Sequence, residues 1–293
     1  MKPATASDVL SVPPILRGVA ECDGSVLGTG LTSRSFLAAF VQLTAQFPWK
    51  LGGRLMRQLD ETRRHTDTVH CLAVLEGGRL ASGSDDMTIK VWQIGTGACV
   101  ATLAGHTAGV NSLAALEGGR LASASDDERV KIWDLLTGSC TATLDEMERY
   151  GVVYAVVALE GGRIASGYGD HMIRVWEVAT GTCMTTLAGH DDDVESLALL
   201  DGGLLASGSE DSVVKVWNVA TGACVLTLEG HDGGVYSLAP LEGGRLASGS
   251  TDRAIKIWDL ATGACVATLL GHEDSVEAYG FSNVFSKFWQ TSA

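Results

Sequence analysis

The chain has 293 residues, 46% of them hydrophobic, enough for one large domain or two small ones with a sizeable core. Against 21 basic residues stand 35 acidic ones, a formal net charge of -14; such a surface repels phosphate backbones, so nucleic acid is excluded as the expected partner and basic groups are favoured. No stretch reaches the ~18 apolar residues that a membrane-spanning helix needs, and 36 glycines beside only 5 prolines point to many tight turns and an all-β chain.

Taken from the N-terminus, residues 1–16 hold one lysine, an early Asp8 and no sustained apolar run, so no secretory leader is read there and a cytoplasmic protein is expected, with the nucleus as the alternative. Residues 1–54 read as an extension. Its first 32 residues are expected to be poorly ordered. Residues 33–47 carry Phe36, Leu37, Phe40, Val41 and Leu43 ahead of Pro48, the pattern of one short amphipathic helix.

From residue 55 onward the chain repeats itself. Tryptophans fall at Trp92, Trp133, Trp176, Trp217 and Trp258, 41, 43, 41 and 41 residues apart. The clearest copy opens at Gly105 and His106. It continues through an alternating segment at 110–114, the turn Glu117, Gly118 and Gly119, and a second alternating segment at 120–125. The acidic turn Asp126 and Asp127 follows, then the β-branched and aromatic run 130–133, the turn Thr137 and Gly138, and a last alternating segment at 140–144. Period-two alternation broken by glycine turns reads as four strands of an antiparallel meander. Complete units are expected at about 69–103, 110–144, 152–187, 194–228 and 235–269. A sixth copy starts after Leu269 and leaves the pattern at Tyr279, so a partial unit is expected at 276–290.

A period of ~40–45 residues carrying Gly-His and Trp-Asp resembles the WD40 family of β-propellers, over roughly residues 55 to 281. The resemblance implies an all-β propeller of five complete four-stranded blades plus a partial sixth at 276–290 closed by a strand at 55–59, preceded by a short helical or irregular segment; an open ring whose exposed edges invite association is the alternative, and the oligomeric state is left open. It also implies a buried hydrogen-bond relay in each blade, from tryptophan to serine to histidine to aspartate. The implied sets are Trp92, Ser82, His65 and Asp86; Trp133, Ser123, His106 and Asp127; Trp217, Ser207, His190 and Asp211; Trp258, Ser248, His231 and Asp252. The third copy has Trp176, Ser166 and Asp170, but Arg149 stands in its histidine slot, so this relay is expected to be incomplete and its blade the loosest. Indole is donor-only, hydroxyl is both donor and acceptor, and neutral imidazole offers one of each, so such a chain satisfies itself without water. A Ser-His-Asp hydrolase triad is the competing reading. It loses because the set recurs once per copy and no nucleophile elbow accompanies it; no catalytic residue is assigned.

Five cysteines occupy one slot, Cys99, Cys140, Cys183, Cys224 and Cys265. They are expected to be reduced, buried small hydrophobes, without metal-ligand spacing. The Glu-Gly-Gly-Arg turns, such as 76–79 and 242–245, lack the helix start a phosphate loop requires. No cofactor or metal is expected. The family resemblance places a partner on the top face, at residues flanking the first strand-a valine and just before the relay aspartate. By position these are His70, Asp85, Asn111, Asp126, Tyr154, Asp193, Glu195, Glu210, Tyr236, Thr251 and Glu277. Acids and tyrosines there suit a Lys- or Arg-bearing peptide or loop. The expected function is therefore a non-enzymatic protein-interaction scaffold, without nucleic acid or membrane as partner. A ubiquitin-ligase substrate receptor is the alternative, although no Trp-Asp-x-Arg motif occurs.

Overall fold

The computed structural model describes residues 64–144 and 151–276, which fall within one compact unit, Lys50–Ala293; the other unit, Met1–Trp49, lies outside the described residues. Also outside them are the expected helix at 33–47, the closing strand at 55–59, Arg149, Glu277 and the sixth blade beyond Val276.

Twenty strands form five antiparallel meanders, each in sequential order. Blade 1 comprises β1 (Val69–Leu75), β2 (Arg79–Ser84), β3 (Thr88–Gln93) and β4 (Ala98–Ala104). Blade 2 comprises β5 (Val110–Leu116), β6 (Arg120–Ser125), β7 (Val130–Asp134) and β8 (Cys140–Leu144). Blade 3 comprises β9 (Val153–Leu159), β10 (Arg163–Tyr168), β11 (Ile173–Glu177) and β12 (Thr182–Leu187). Blade 4 comprises β13 (Val194–Leu199), β14 (Leu204–Ser209), β15 (Val214–Asn218) and β16 (Ala223–Leu228). Blade 5 comprises β17 (Val235–Leu241), β18 (Arg245–Ser250), β19 (Ile255–Asp259) and β20 (Cys265–Leu269). The first strand of each blade packs on that of the next: β1 on β5, β5 on β9, β9 on β13 and β13 on β17. Among the described residues no comparable packing joins β17 to β1.

Blades cohere because apolar groups fill the seam between them. Trp133 packs with Ile89 and Leu103 of blade 1, Trp176 with Ile132 and Leu144 of blade 2, Trp217 with Val175 and Leu187 of blade 3, and Trp258 with Val216 and Leu228 of blade 4. All four indoles are about 1% exposed, and burying a side chain of that size stabilises by about 5 kcal/mol on area grounds. Trp92 has no described blade before it and is only half-buried.

A second seam contact uses the glycine between two serines. A Cβ added at Gly83 would lie 2.7 Å from Val110 Cγ1, and the same valine contact recurs at Gly167 with Val194 (2.8 Å), Gly208 with Val235 (2.7 Å) and Gly249 with Val276 (2.7 Å). The absence of a side chain lets the next blade's first valine seat against the strand. Val276 therefore already occupies the next socket, and its N–H donates to Ser250 O at 2.9 Å. Blade 2 carries Ala124 in this place, fully buried.

The cysteine slot departs from expectation. Cys99 is buried and Cys183 is partly so, but Cys140, Cys224 and Cys265 are exposed. These residues open the outermost strand of each blade, where little chain lies beyond to cover them.

Candidate functional site

Four blades contain the relay as a continuous chain of short hydrogen bonds. In blade 2, Trp133 Nε1 donates to Ser123 Oγ at 2.8 Å, Ser123 Oγ lies 2.7 Å from His106 Nε2, and His106 Nδ1 lies 2.8 Å from Asp127 Oδ2. Indole can only donate, so the serine proton turns to Nε2 and the imidazole proton sits on Nδ1, facing the carboxylate. The corresponding Trp–Ser and Ser–His separations are 2.8 and 2.7 Å through Trp92, Ser82 and His65, through Trp217, Ser207 and His190, and through Trp258, Ser248 and His231. The histidines lie 2.7 Å from Asp86, Asp211 and Asp252.

The aspartate also shapes the turn. In blade 2 its second oxygen accepts from the amide two residues on, Arg129 N at 3.2 Å, and Oδ2 accepts from Thr107 N at 3.0 Å. Burial opposes ionisation of Asp211, but hydrogen bonds from His190 and from the amides of Asp191 and Val213 outweigh it and hold the carboxyl at about 2. The same balance depresses Asp86, Asp127 and Asp252. His65 is lowered, because burial outweighs the favourable contact with Asp86.

A further recurring residue escaped the sequence reading: the second serine of the strand. Ser84, Ser125, Ser209 and Ser250 are fully buried. Each donates to a carbonyl of the preceding loop, as Ser125 Oγ does to Ala108 O at 3.3 Å, and accepts the amide of the relay aspartate, as from Asp127 N at 3.1 Å. It ties the two halves of the top-face loop together. Its signal was present in the repeated Ser-Gly-Ser.

Blade 3 uses different groups for the same connections. Trp176 Nε1 donates to Ser166 Oγ at 2.9 Å, and Ser166 Oγ bonds the Tyr168 hydroxyl at 3.2 Å. Asp170 is gripped by both terminal nitrogens of Arg174, at 3.0 and 2.6 Å. The Arg174 guanidinium lies 4.6 Å from the centre of the Tyr168 ring, a cation–π distance. Burial leads in pushing the Tyr168 hydroxyl up to about 12, while Ser166 and Arg174 pull the other way. Among the described residues no histidine joins Ser166 to Asp170 in blade 3; instead a tyrosine meets the serine, an arginine meets the aspartate, and the two stack.

The top-face positions are built by a second regular irregularity. In every blade the pairing of the first two strands slips by one residue just after the opening valine. The unpaired residue is His70, Asn111, Tyr154, Glu195 or Tyr236. A bulge re-aims such a side chain out of the sheet alternation. The residue before the relay aspartate is brought alongside: the amides of Asp85, Asp126, Glu210 and Thr251 bond the carbonyls of Thr68, Gly109, Asp193 and Gly234 at 2.9–3.0 Å.

Two acidic groupings result. In blades 1 and 2, a Cβ on Gly109 would meet Asp85 Oδ1 at 2.6 Å and Asp126 Oδ2 at 3.2 Å; glycine is what lets both carboxylates crowd one point. His70 Nε2 lies 2.8 Å from Asp85, and Asn111 Nδ2 donates to Asp126 at 2.7 Å. In blades 3 to 5, the Tyr154 hydroxyl donates to Asp193 Oδ2 at 2.8 Å and the Tyr236 hydroxyl donates to Glu210. Burial first, then Asp193, Glu195 and Glu210, push the Tyr154 hydroxyl well above its ordinary range. Asp126 and Glu210 are exposed and Thr251 is half-buried. Glu195 differs from the open-rim placement expected of it: it is only 6% exposed, because the bulge at β13 sets it among the blades.

No helix among the described residues is long and apolar enough to cross a membrane. Over 42 residues the chain is 52% identical to the ribosome biogenesis protein BOP1 of Mus musculus and 48% identical to that of Homo sapiens, and 50% identical to the BOP1 homolog of Drosophila melanogaster. These alignments cover 14% of this chain and 5–6% of each relative, so the chain spans about one-twentieth of the curated relatives it matches. The aligned length equals one repeat period of this chain. The family model described as WD domain, G-beta repeat matches residues 56–93, 97–134, 181–218 and 222–259. Its longest gap, residues 135–180, spans β8 to β11 and includes the two strands, β10 and β11, that carry the tyrosine and arginine variant. The matched spans make up just over half of the sequence, and the chain belongs to the WD40 repeat family.

Proposed function

We propose that the protein is a non-enzymatic scaffold that holds a partner protein through a Lys- or Arg-bearing peptide or loop on the acidic top face. The observation that carries this reading is the convergence of bulged first-strand residues and turn carboxylates, with Asp85 and Asp126 crowded at Gly109 and Asp193, Glu195 and Glu210 grouped around Tyr154. Membership of a family of interaction propellers supports the scaffold role. Recurrence supports the absence of catalysis: each His, Ser and Asp of the relay already bonds a neighbour, which leaves no base beside an unengaged nucleophile in those sets. Acids at a concave mouth raise the local concentration of cations and speed their encounter, while Tyr154 and Tyr236 supply contact area for the aliphatic stems.

The test is fluorescence polarisation of the full chain against arginine- and lysine-bearing peptides, with acetyl-lysine and citrulline versions as controls. Reversal of exposed carboxylates, Asp126→Lys with Glu210→Lys, is expected to weaken binding at least tenfold and to reduce its salt dependence. Binding that ignores both the reversal and peptide charge would retire the reading.

A further inference from the structure

The geometry points to a divalent metal site, suited to zinc, at the seam between blades 3 and 4, held by His171, Asp192 and Asp193. His171 lies in the turn between β10 and β11, and the two aspartates end the loop that enters β13. His171 Nδ1 is 3.9 Å from Asp192 Oδ1 and 3.7 Å from Asp193 Oδ1, and the three ligand atoms lie within 4.8 Å of one another. Zinc bonds of about 2.0–2.2 Å to nitrogen and oxygen set tetrahedral ligand atoms about 3.4 Å apart. The two His171–aspartate separations exceed this by about 0.3–0.5 Å and the third edge of the cluster by at most about 1.4 Å.

An independent observation concerns the imidazole. The His171 side chain is 43% exposed, yet its Nδ1 atom is cut off from solvent and has no hydrogen-bond partner, an unfavourable state for a polar atom. The carboxylates lie beyond hydrogen-bond reach of it yet face it, an arrangement that a cation between them resolves. Both carboxylates have orienting partners of the kind that support ligands: Tyr154 OH donates to Asp193 Oδ2 at 2.8 Å, and Asp193 N donates to Asp192 Oδ1 at 3.0 Å. One imidazole and two carboxylates neutralise a divalent ion and suit zinc among the first-row metals. The half-open setting leaves coordination positions for water or for a donor from a partner. The inference does not rest on the proposed scaffold role, in which His171 has no part.

Calorimetric titration of the full chain with zinc chloride, paired with visible spectra of the cobalt-loaded protein, tests it. One equivalent should bind with a cobalt spectrum lacking thiolate charge transfer. His171→Asn, which tolerates the left-handed backbone, should weaken it at least tenfold, as should Asp193→Asn. Ser212→Asn, at the same turn position in blade 4, should leave it unchanged. Tyr154→Phe should weaken it about tenfold. Absence of binding, binding indifferent to His171→Asn, or a thiolate signature removed by Cys140→Ser would each overturn the site. None of these outcomes depends on whether basic peptides bind.

Discussion

Blades 2 and 3 make the same connections by different chemistry. In blade 2 one imidazole touches both Ser123 and Asp127, so a single ring is responsible for both links. In blade 3 the task is divided: Tyr168 meets Ser166, Arg174 meets Asp170, and the two partners stack. The conserved quantity is the satisfaction of buried donors and acceptors, not the identity of the residue that provides it. A blade can therefore lose its histidine and keep its top-face turn.

This difference predicts unequal responses to deletion. His106→Ala should destabilise by about 3 kcal/mol, since it removes one hydrogen bond each from Ser123 and Asp127 and opens a void. Tyr168→Phe should cost only about 1 kcal/mol, because the ring stays beneath Arg174 and the lost bond is long. Urea unfolding of both variants checks this; equal losses would mean that the two blades are held alike. The glycine sockets set a second contrast. Gly208→Ala forces a methyl to within 2.6 Å of Ser196 Oγ and 2.7 Å of Val235, and overpacking of this kind costs about 1–3 kcal/mol. Ala124→Gly, at the one described seam where alanine already fits, should cost no more than about 1 kcal/mol. Thermal melts of the pair would show whether the seam of blades 2 and 3 is built to a different clearance.

A separate effect is expected in acid. The folded Asp211 carboxyl is depressed to about 2 against about 3.9 when unfolded. The unfolded chain thus binds more protons between these values, so the contribution of Asp211 is complete above pH ~4 and is lost as pH falls through about 2. Asp211→Asn should flatten the pH dependence of the urea midpoint in that window. A slope unchanged by the substitution would dissociate the acid sensitivity from this relay. His65, lowered by burial, acts with the same sign at higher pH, its contribution complete above ~6.5 and declining below it.

Much of the blade architecture could be read from spacing alone, because a tryptophan every 41 to 43 residues and a glycine turn between alternating segments leave few alternatives. The top-face positions could be counted from the opening valines. Their geometry could not, since the one-residue slip that turns out His70 and Tyr154 is a property of strand pairing and leaves no mark in composition. Glu195 reads as a rim acid and is buried for the same reason. Tyr168 and Arg174 were hidden because they sit in the serine and lysine slots of the motif, where each looks like a tolerated variant. The exposed cysteines were misjudged because their slot was weighed by residue type rather than by its place on the outermost strand. His171, Asp192 and Asp193 belong to different blades, so no local spacing could associate them.

One backbone position recurs without a preferred residue. Just after each relay aspartate, Met87, Glu128, His171, Ser212 and Arg253 all lie at φ between 64 and 69, a left-handed conformation that costs a non-glycine residue roughly 1–2 kcal/mol. The aspartate carboxylate, bonded to the amide just beyond, fixes the turn whatever side chain it bears. A thioether, a carboxylate, an imidazole, a hydroxyl and a guanidinium are thus mounted at one repeated address. The fold separates the frame from its cargo at this point, and the side chain there can be exchanged blade by blade without renegotiating the hydrogen bonds that hold the frame.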